Sequence, residues 1–280
     1  MLSVIIPANN EADYISACLE ALLGQTLDPV ETGGAEVIVA ANACTDATVA
    51  IARRFEPRFA ERGWRLEVLD IPEGGKPNAL NRADAAACGE VRAYLDADVV
   101  VSAKLMAGIW EALSRPEPAY AGGQLIVSPA RSWVTQRYAD CWSRLPFMTR
   151  AGVTGAGLFA VNEAGRARWG RFPAIISDDT YVRLNFTPGE RHLVAEPYLW
   201  PMVEGFKALV KVRRRQDAGI AEIARHHPQL LENEGKPPMT PADHLKLLLT
   251  RPVSYAVYVA VSLAVKFAGE GRGEAWARGR

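Results

Sequence analysis

The chain is poor in the residues that thiol, disulfide and metal-finger proteins are built from. Only four cysteines and four histidines occur in 280 residues, and no two cysteines form a Cys-x-x-Cys pair. A zinc finger or a disulfide framework is therefore excluded, and Cys18, Cys44, Cys88 and Cys141 are expected to be isolated free thiols. Net charge is also missing: Lys plus Arg and Asp plus Glu each number 32, so the basic footprint of a nucleic-acid binder is absent. Neither a Gly-x4-Gly-Lys-Ser/Thr loop nor a Gly-x-Gly-x-x-Gly turn occurs after the first apolar run, which removes Walker-type and dinucleotide-binding readings. No basic segment precedes that run, so no signal peptide is read and a cytoplasmic chain is expected. There is no internal repeat.

What remains is an ordinary globular composition, 49% apolar and 23% charged. It suits one large α/β domain with a tail, divided as residues 1–218 and 219–280. Leu2–Pro7, Glu36–Ala41, Trp64–Ile71 and Val91–Asp96 read as short apolar strands. Helical spacing falls between them, over about residues 11–24, 47–60 and 77–88. Alternating strands and helices predict right-handed βαβ units, and the lack of polar alternation predicts a mainly parallel sheet covered on both faces.

The second half is less regular. Strands are expected at 120–127 and 192–199, a helix at 131–145, and a glycine loop entering a strand over Gly155–Val161. Ser177 is placed to cap a helix that starts with Asp178 and Asp179. Glu232–Pro241 reads as a polar linker. The apolar run over residues 253–268 falls short of the ~20 residues a spanning helix needs, and it carries Lys266. It is either a helix docked on the domain or one lying in a membrane interface.

Ligands of such sheets bind beyond the carboxyl ends of the strands, which selects the candidate residues. Asp96 and Asp98 end an apolar strand one residue apart. They suit either a hard divalent cation shared with phosphates or a simple turn. Gly74-Gly75-Lys76 opens a helix, either as a phosphate cradle or as a plain turn. Pro7, Asn9 and Glu11, with Asn42 and Asp46, offer hydrogen bonds to a base or ribose, or caps to helices. Asp178 and Asp179 are adjacent, so repulsion suits one of them to be a general base; a first turn favoured by the helix dipole is the alternative. Arg213, Arg214 and Arg215 suit an anion clamp or a solvated basic face.

Taken in order, these segments resemble family 2 glycosyltransferases, which have the glycosyltransferase A fold. The resemblance runs over roughly residues 2–215. It rests on Val4-Ile-Ile-Pro7-Ala-Asn-Asn-Glu11, Asn42-Ala-Cys-Thr-Asp46, Gly75-Lys76 with Ala79-Leu-Asn81, Leu95-Asp96-Ala-Asp98, Gly155-Ala-Gly157 and Asp178-Asp179. It implies a nucleotide-diphospho-sugar transferase sheet flanked by helices, with a C-terminal helical tail. It implies donor contacts at Pro7, Asn9, Glu11, Asn42, Asp46, Lys76, Asn81, Asp96, Gly155, Gly157 and Arg214. A magnesium or manganese ion would sit on Asp98 and Asp96, and the catalytic pair would be Asp179 with Asp178. The implied partners are a nucleotide-sugar donor, a UDP-sugar first among them, and a carbohydrate or lipid-linked acceptor. No nucleic acid is implied, and the tail leaves room for peripheral contact with the inner membrane face.

The sequence departs from the family's pattern in three places. Asn42-Ala43 replaces an acidic pairing, Asp178 stands where Glu is usual, and the Gln-x-x-Arg-Trp motif of processive synthases is absent. Transfer of a single sugar with inversion is therefore expected. The alternatives are a sugar-nucleotide pyrophosphorylase, which lacks support in the loop after the first strand, and an inactive sugar-nucleotide-binding module.

Overall fold

Strands β1 (Leu2–Ala8) and β2 (Ala35–Asn42) are buried at every position and pair in parallel, Leu2 opposite Ala35. Unbroken apolar strands of this kind need cover on both faces. The computed structural model describes residues 1–267 and supplies that cover with helices. The first half continues through α1 (Ile15–Leu23), α2 (Thr48–Arg53), α3 (Glu56–Glu61), β3 (Arg65–Ile71), α4 (Lys76–Ala86), β4 (Val91–Leu95), β5 (Val100–Val101) and α5 (Leu105–Leu113). The second half carries β6 (Tyr120–Val127), α6 (Trp133–Trp142), α7 (Pro146–Arg150), β7 (Leu158–Val161), α8 (Glu163–Arg166), α9 (Asp178–Leu184) and β8 (Arg191–Trp200). The described residues close with α10 (Phe206–His226), α11 (Pro241–Thr250) and α12 (Pro252–Phe267).

Among the described residues, eight strands join one sheet in the order β3-β2-β1-β4-β7-β6-β8-β5. The expected parallel pairing holds from β3 to β4 and again between β6 and β8. Antiparallel β7 joins β4 to β6, and β5 closes the far edge antiparallel to β8, so the sheet is mixed. Two apolar cores lie on its opposite faces, one around Val4, Ile6 and Leu19, the other around Ile5, Ile38 and Leu80. Alternate residues of β1 thus point into different cores, as strand geometry requires.

Some local readings need correction. The helix expected over 47–60 is two helices, because Pro57 in the first turn of α3 has no N–H to continue the ladder from α2. Ser177 holds the N-cap position of α9 but makes no capping hydrogen bond; its Oγ packs where a side chain at Gly219 would fall. The division expected at residue 218 falls inside continuous α10, so the sheet domain and the tail share that helix. The polar linker is tied down, with Arg183 paired to Glu234 at 2.9 Å.

The tail docks on the domain. Val261 of α12 is buried with Tyr138 of α6 and Leu209 of α10, and Ser254 Oγ donates to Asp140 Oδ2 at 2.7 Å. Among the described residues no helix is long and apolar enough to cross a membrane. Tyr255 and Tyr258 of α12 turn inward: Tyr255 Oη meets His244 Nδ1 at 2.8 Å, and the Tyr258 ring lies 5.6 Å from that of Tyr138.

Candidate functional site

The carboxyl ends of β1, β2 and β4 converge on one cavity of about 430 Å³. Pro7, Asn9, Glu11 and Asn42 line it, together with Lys76, Asp96, Asp98, Asp178 and Asp179. Gly157 lines it too, and Gly155 lines a smaller recess that opens beside it. Residues far apart in sequence therefore form one wall, as the switch-point rule anticipates.

The first two loops are stitched together. Asn9 Nδ2 donates to the Asn42 carbonyl at 2.6 Å, and Asn10 Oδ1 accepts from the Thr45 amide at 2.6 Å. Asn10 and Ala43 both hold left-handed backbone, at φ 53° and 44°. Such conformations cost of order 1–3 kcal/mol each and persist where surrounding contacts over-determine them. Asn42 Nδ2 reaches the Ala8 carbonyl at 2.9 Å, and its Oδ1 accepts the Gly75 amide at 3.0 Å. The amide expected to be free for phosphate is therefore already bonded, and Asn42 acts as a strut under the Gly75–Lys76 turn.

Three expected donor contacts lie elsewhere. Asn81 spends both ends of its amide on the Phe172 backbone, at 3.0 and 2.7 Å, and does not line the cavity. Asp46 braces the second loop through the Thr48 amide at 3.0 Å and the Ala12 amide at 3.2 Å. On α10 the cavity is lined by Arg213 and Arg215 rather than Arg214, because helix geometry turns neighbouring residues to different faces.

Lys76 is the centre of the acidic group. Its Nζ lies 2.9 Å from Asp96 Oδ1 and 3.2 Å from Asp178 Oδ2. Burial works against the charged ammonium, but Asp178, Asp96 and Asp179 outweigh it and hold the Lys76 pKa above the ordinary lysine value. Asp179 Oδ1 accepts the Thr180 amide at 2.7 Å. Burial, and then the charge of Asp178, pushes the Asp179 carboxyl up to about 6. One acid of the pair thus lies against a lysine, while the other is pushed up to about 6.

The donor set suits a hard cation, since the cavity's carboxylates are oxygen donors with no thiolate or imidazole among them. Among the described residues no group of three or more His, Cys, Asp or Glu side chains forms a complete metal cage. A magnesium-type ion does not need one, because it is usually held by one or two carboxylates with water and phosphate oxygens.

One part of the cavity lining escaped the sequence reading. Tyr138, Trp142, Trp200, Met202, Val203 and Leu209 form an apolar wall. The Trp142 and Trp200 rings stack with centroids 5.7 Å apart and planes 24° apart. Trp200 rests on Gly157, where any Cβ would come within 2.5 Å of the indole. No motif marks these residues; a tryptophan ending a strand beside a glycine loop was the only available signal.

Comparison with known proteins agrees with this geometry. Residues 3–171 match the glycosyl transferase family 2 profile, and the chain belongs to that family. A glycosyltransferase of Haloferax volcanii, AglE, is 36% identical over 98 residues, which is 35% of this chain and 30% of the relative. An uncharacterized glycosyltransferase of Bacillus subtilis, EpsJ, is 29% identical over 111 residues, 40% of this chain and 30% of its own. The chain thus spans under a third of the length of these relatives. Among solved structures, the mannosyltransferase PcManGT of Pyrobaculum calidifontis, in complex with GDP-Man and Mn2+, has a TM-score of 0.63 at 20% identity, over 96% of this chain and 88% of that one. S. aureus TarS in complex with UDP-GlcNAc has a TM-score of 0.56 at 15% identity, covering 97% and 93%. The fold is that of the glycosyltransferase A class, as the sequence motifs implied.

Proposed function

We propose that the protein transfers a single sugar from a nucleotide-sugar donor to an acceptor hydroxyl, with inversion at the anomeric carbon. The observation that carries this reading is the meeting of Asp96, Asp98, Lys76, Asp178 and Asp179 on one cavity that Asn9, Asn10 and Asn42 also line. The donor's nucleoside lies along Pro7, Asn9 and Glu11, and its diphosphate lies toward Lys76 and Asp96. Asp98 and Asp96 would hold a magnesium or manganese ion, which would supply positive charge against the diphosphate.

Asp179 is the base. Its raised pKa leaves it able to accept a proton near neutrality, whereas Asp178 is committed to Lys76. As the acceptor oxygen bonds to the anomeric carbon, its proton passes to Asp179. The bond from that carbon to the diphosphate oxygen breaks, and the electron pair leaves with the nucleoside diphosphate. Lys76 contributes a fixed positive charge beside the reacting groups, the kind of preorganised field that contributes most where charge develops. A bound UDP-sugar is favoured by the UDP-GlcNAc complex of TarS, although PcManGT is in complex with GDP-Man.

We further propose peripheral contact with an anionic membrane surface through the outer face of α11 and α12. Leu245, Leu248, Leu249, Val253 and Phe267 are exposed there, beside the exposed Lys246, Arg251 and Lys266. Flotation with anionic liposomes at low and high salt tests it, and protein that stays wholly at the bottom of the gradient at low salt refutes it. The transferase reading is tested by screening nucleotide sugars for metal-dependent hydrolysis. Consumption of one donor supports it, and indifference to every nucleotide sugar in the panel removes it.

A further inference from the structure

The cavity lining has two chemically different parts. Asn9, Asn10, Glu11, Asp13 and Asn42 make one part polar, whereas Tyr138, Trp142, Trp200, Met202, Val203 and Leu209 make another apolar, with Trp200 against Gly157. The one hydroxyl of this apolar wall, that of Tyr138, already accepts from Arg213 Nη1 at 2.9 Å. Gly157 keeps the Trp200 indole against the loop, and Trp142 stacks on it, so the two rings are fixed in place. Burying an acceptor's own hydroxyls against such a wall would leave them unpaired, which is costly; burying hydrocarbon there is favourable.

The wall is also the inner surface of the cluster that holds the tail. Tyr138, Leu209 and Val261 form its centre, and Trp142, Met202, Val203, Val257 and Tyr258 pack around them. Apolar surface therefore runs from the cavity through α6 and α10 to α12, whose exposed residues include Val253 and Leu263.

We propose that this apolar part is an acceptor subsite for an amphipathic molecule, one whose reacting hydroxyl is joined closely to a hydrocarbon body, and that Trp142 and Trp200 set that specificity. The hydroxyl lies at Asp179 and the hydrocarbon lies along the stacked indoles. This deepens the transferase reading and rests on it for the role of Asp179, but the binding preference is measurable without turnover.

The test is calorimetric titration of the full chain with n-octyl β-D-glucopyranoside, below its micellar concentration, and with free glucose. Both are repeated for Trp142→Ala, Trp142→Phe and Met202→Asn. UDP with manganese is titrated separately. Saturable octyl glucoside binding at least tenfold tighter than glucose is expected. It should weaken at least tenfold in Trp142→Ala and in Met202→Asn, stay within about threefold in Trp142→Phe, and leave UDP affinity unchanged. Octyl glucoside binding no tighter than glucose overturns the proposal, as does binding indifferent to both Trp142→Ala and Met202→Asn, which would put the detergent on the outer face of the tail. Should Trp142→Ala unfold, Met202→Asn decides, because it adds an amide to the same wall without removing a ring. Failure of UDP to bind the wild type would instead count against the transferase reading, leaving the hydrocarbon preference to stand by itself.

Discussion

Lys76 Nζ stands 3.2 Å from Asp178 Oδ2, joining the first turn of α4 to the first turn of α9 across 102 positions of sequence. This contact separates two adjacent carboxylates into different roles. Asp178 is 5% exposed and ion-paired, whereas Asp179 is pushed up to about 6 by burial and by its neighbour's charge.

Removing the lysine should therefore shift a titration as well as slow transfer. In the wild type, the rate of transfer should fall as pH drops through about 6, because Asp179 must be ionised to accept a proton. The positive charge of Lys76 lowers that pKa, so in Lys76→Met the acid limb should move to higher pH. Turnover at its plateau should drop by about 10²-fold, the scale for losing one preorganised electrostatic donor. A pH–rate profile of both proteins checks this; an unmoved limb would detach Lys76 from the base.

Asp179→Asn should lower turnover by about 10²–10⁴-fold, the usual contribution of a general base. Donor affinity should hardly change. Steady-state kinetics on Asp178→Asn beside it decides the assignment within the pair: if Asp178→Asn were the severe change and Asp179→Asn the mild one, the two acids would exchange roles.

Asp98→Asn should abolish transfer and weaken donor binding in the presence of manganese, with little effect on binding in its absence. Titration of the nucleotide with and without manganese gives the answer. Wild-type behaviour of Asp98→Asn in both would reduce the Asp96–Asp98 pair to a turn.

Asp84 concerns stability alone. It is 7% exposed and accepts from Tyr94 Oη at 2.6 Å, Arg92 Nη1 at 2.8 Å and Arg166 Nε at 2.9 Å. Asp84→Ala should cost about 3 kcal/mol, the low end for stripping one partner from a buried pair, because two guanidinium groups lose their counter-charge. Urea unfolding checks it, and a loss under about 1 kcal/mol, the scale of an exposed pair, would mean that water re-solvates both arginines.

The parallel half of the sheet was legible because its strands carry the signal in themselves. Val4, Ile5 and Ile6 or Val37, Ile38 and Val39 are apolar on both faces, which only a covered parallel sheet accommodates. The carboxylates of the site were legible for a related reason: strand ends are where ligands bind, so Asp96, Asp98 and the loop after β1 announced themselves by position. Lys76 was found through the glycines before it, although the amide of Gly75 proved to be bonded to Asn42.

What tertiary structure alone decided is how distant segments share the work. Asn81 and Asp46 look like ligand contacts in sequence, but the backbones of Phe172, Ala12 and Thr48 claim their oxygens, and Phe172 and Ala12 come near only through folding. The apolar wall is the clearest case. Trp142 sits on a helix and Trp200 at a strand end, each unremarkable in its own segment, and they meet because α6 packs beside the end of β8 with Gly157 leaving room for the indole. Local periodicity and strand-end chemistry are properties of neighbours along the chain, so sequence determined the parallel core, the acidic motifs and the family. Partner choice between remote side chains depends on packing distances that only the folded chain sets, and packing decided which acid is paired, which amides are spent and where the hydrocarbon wall stands.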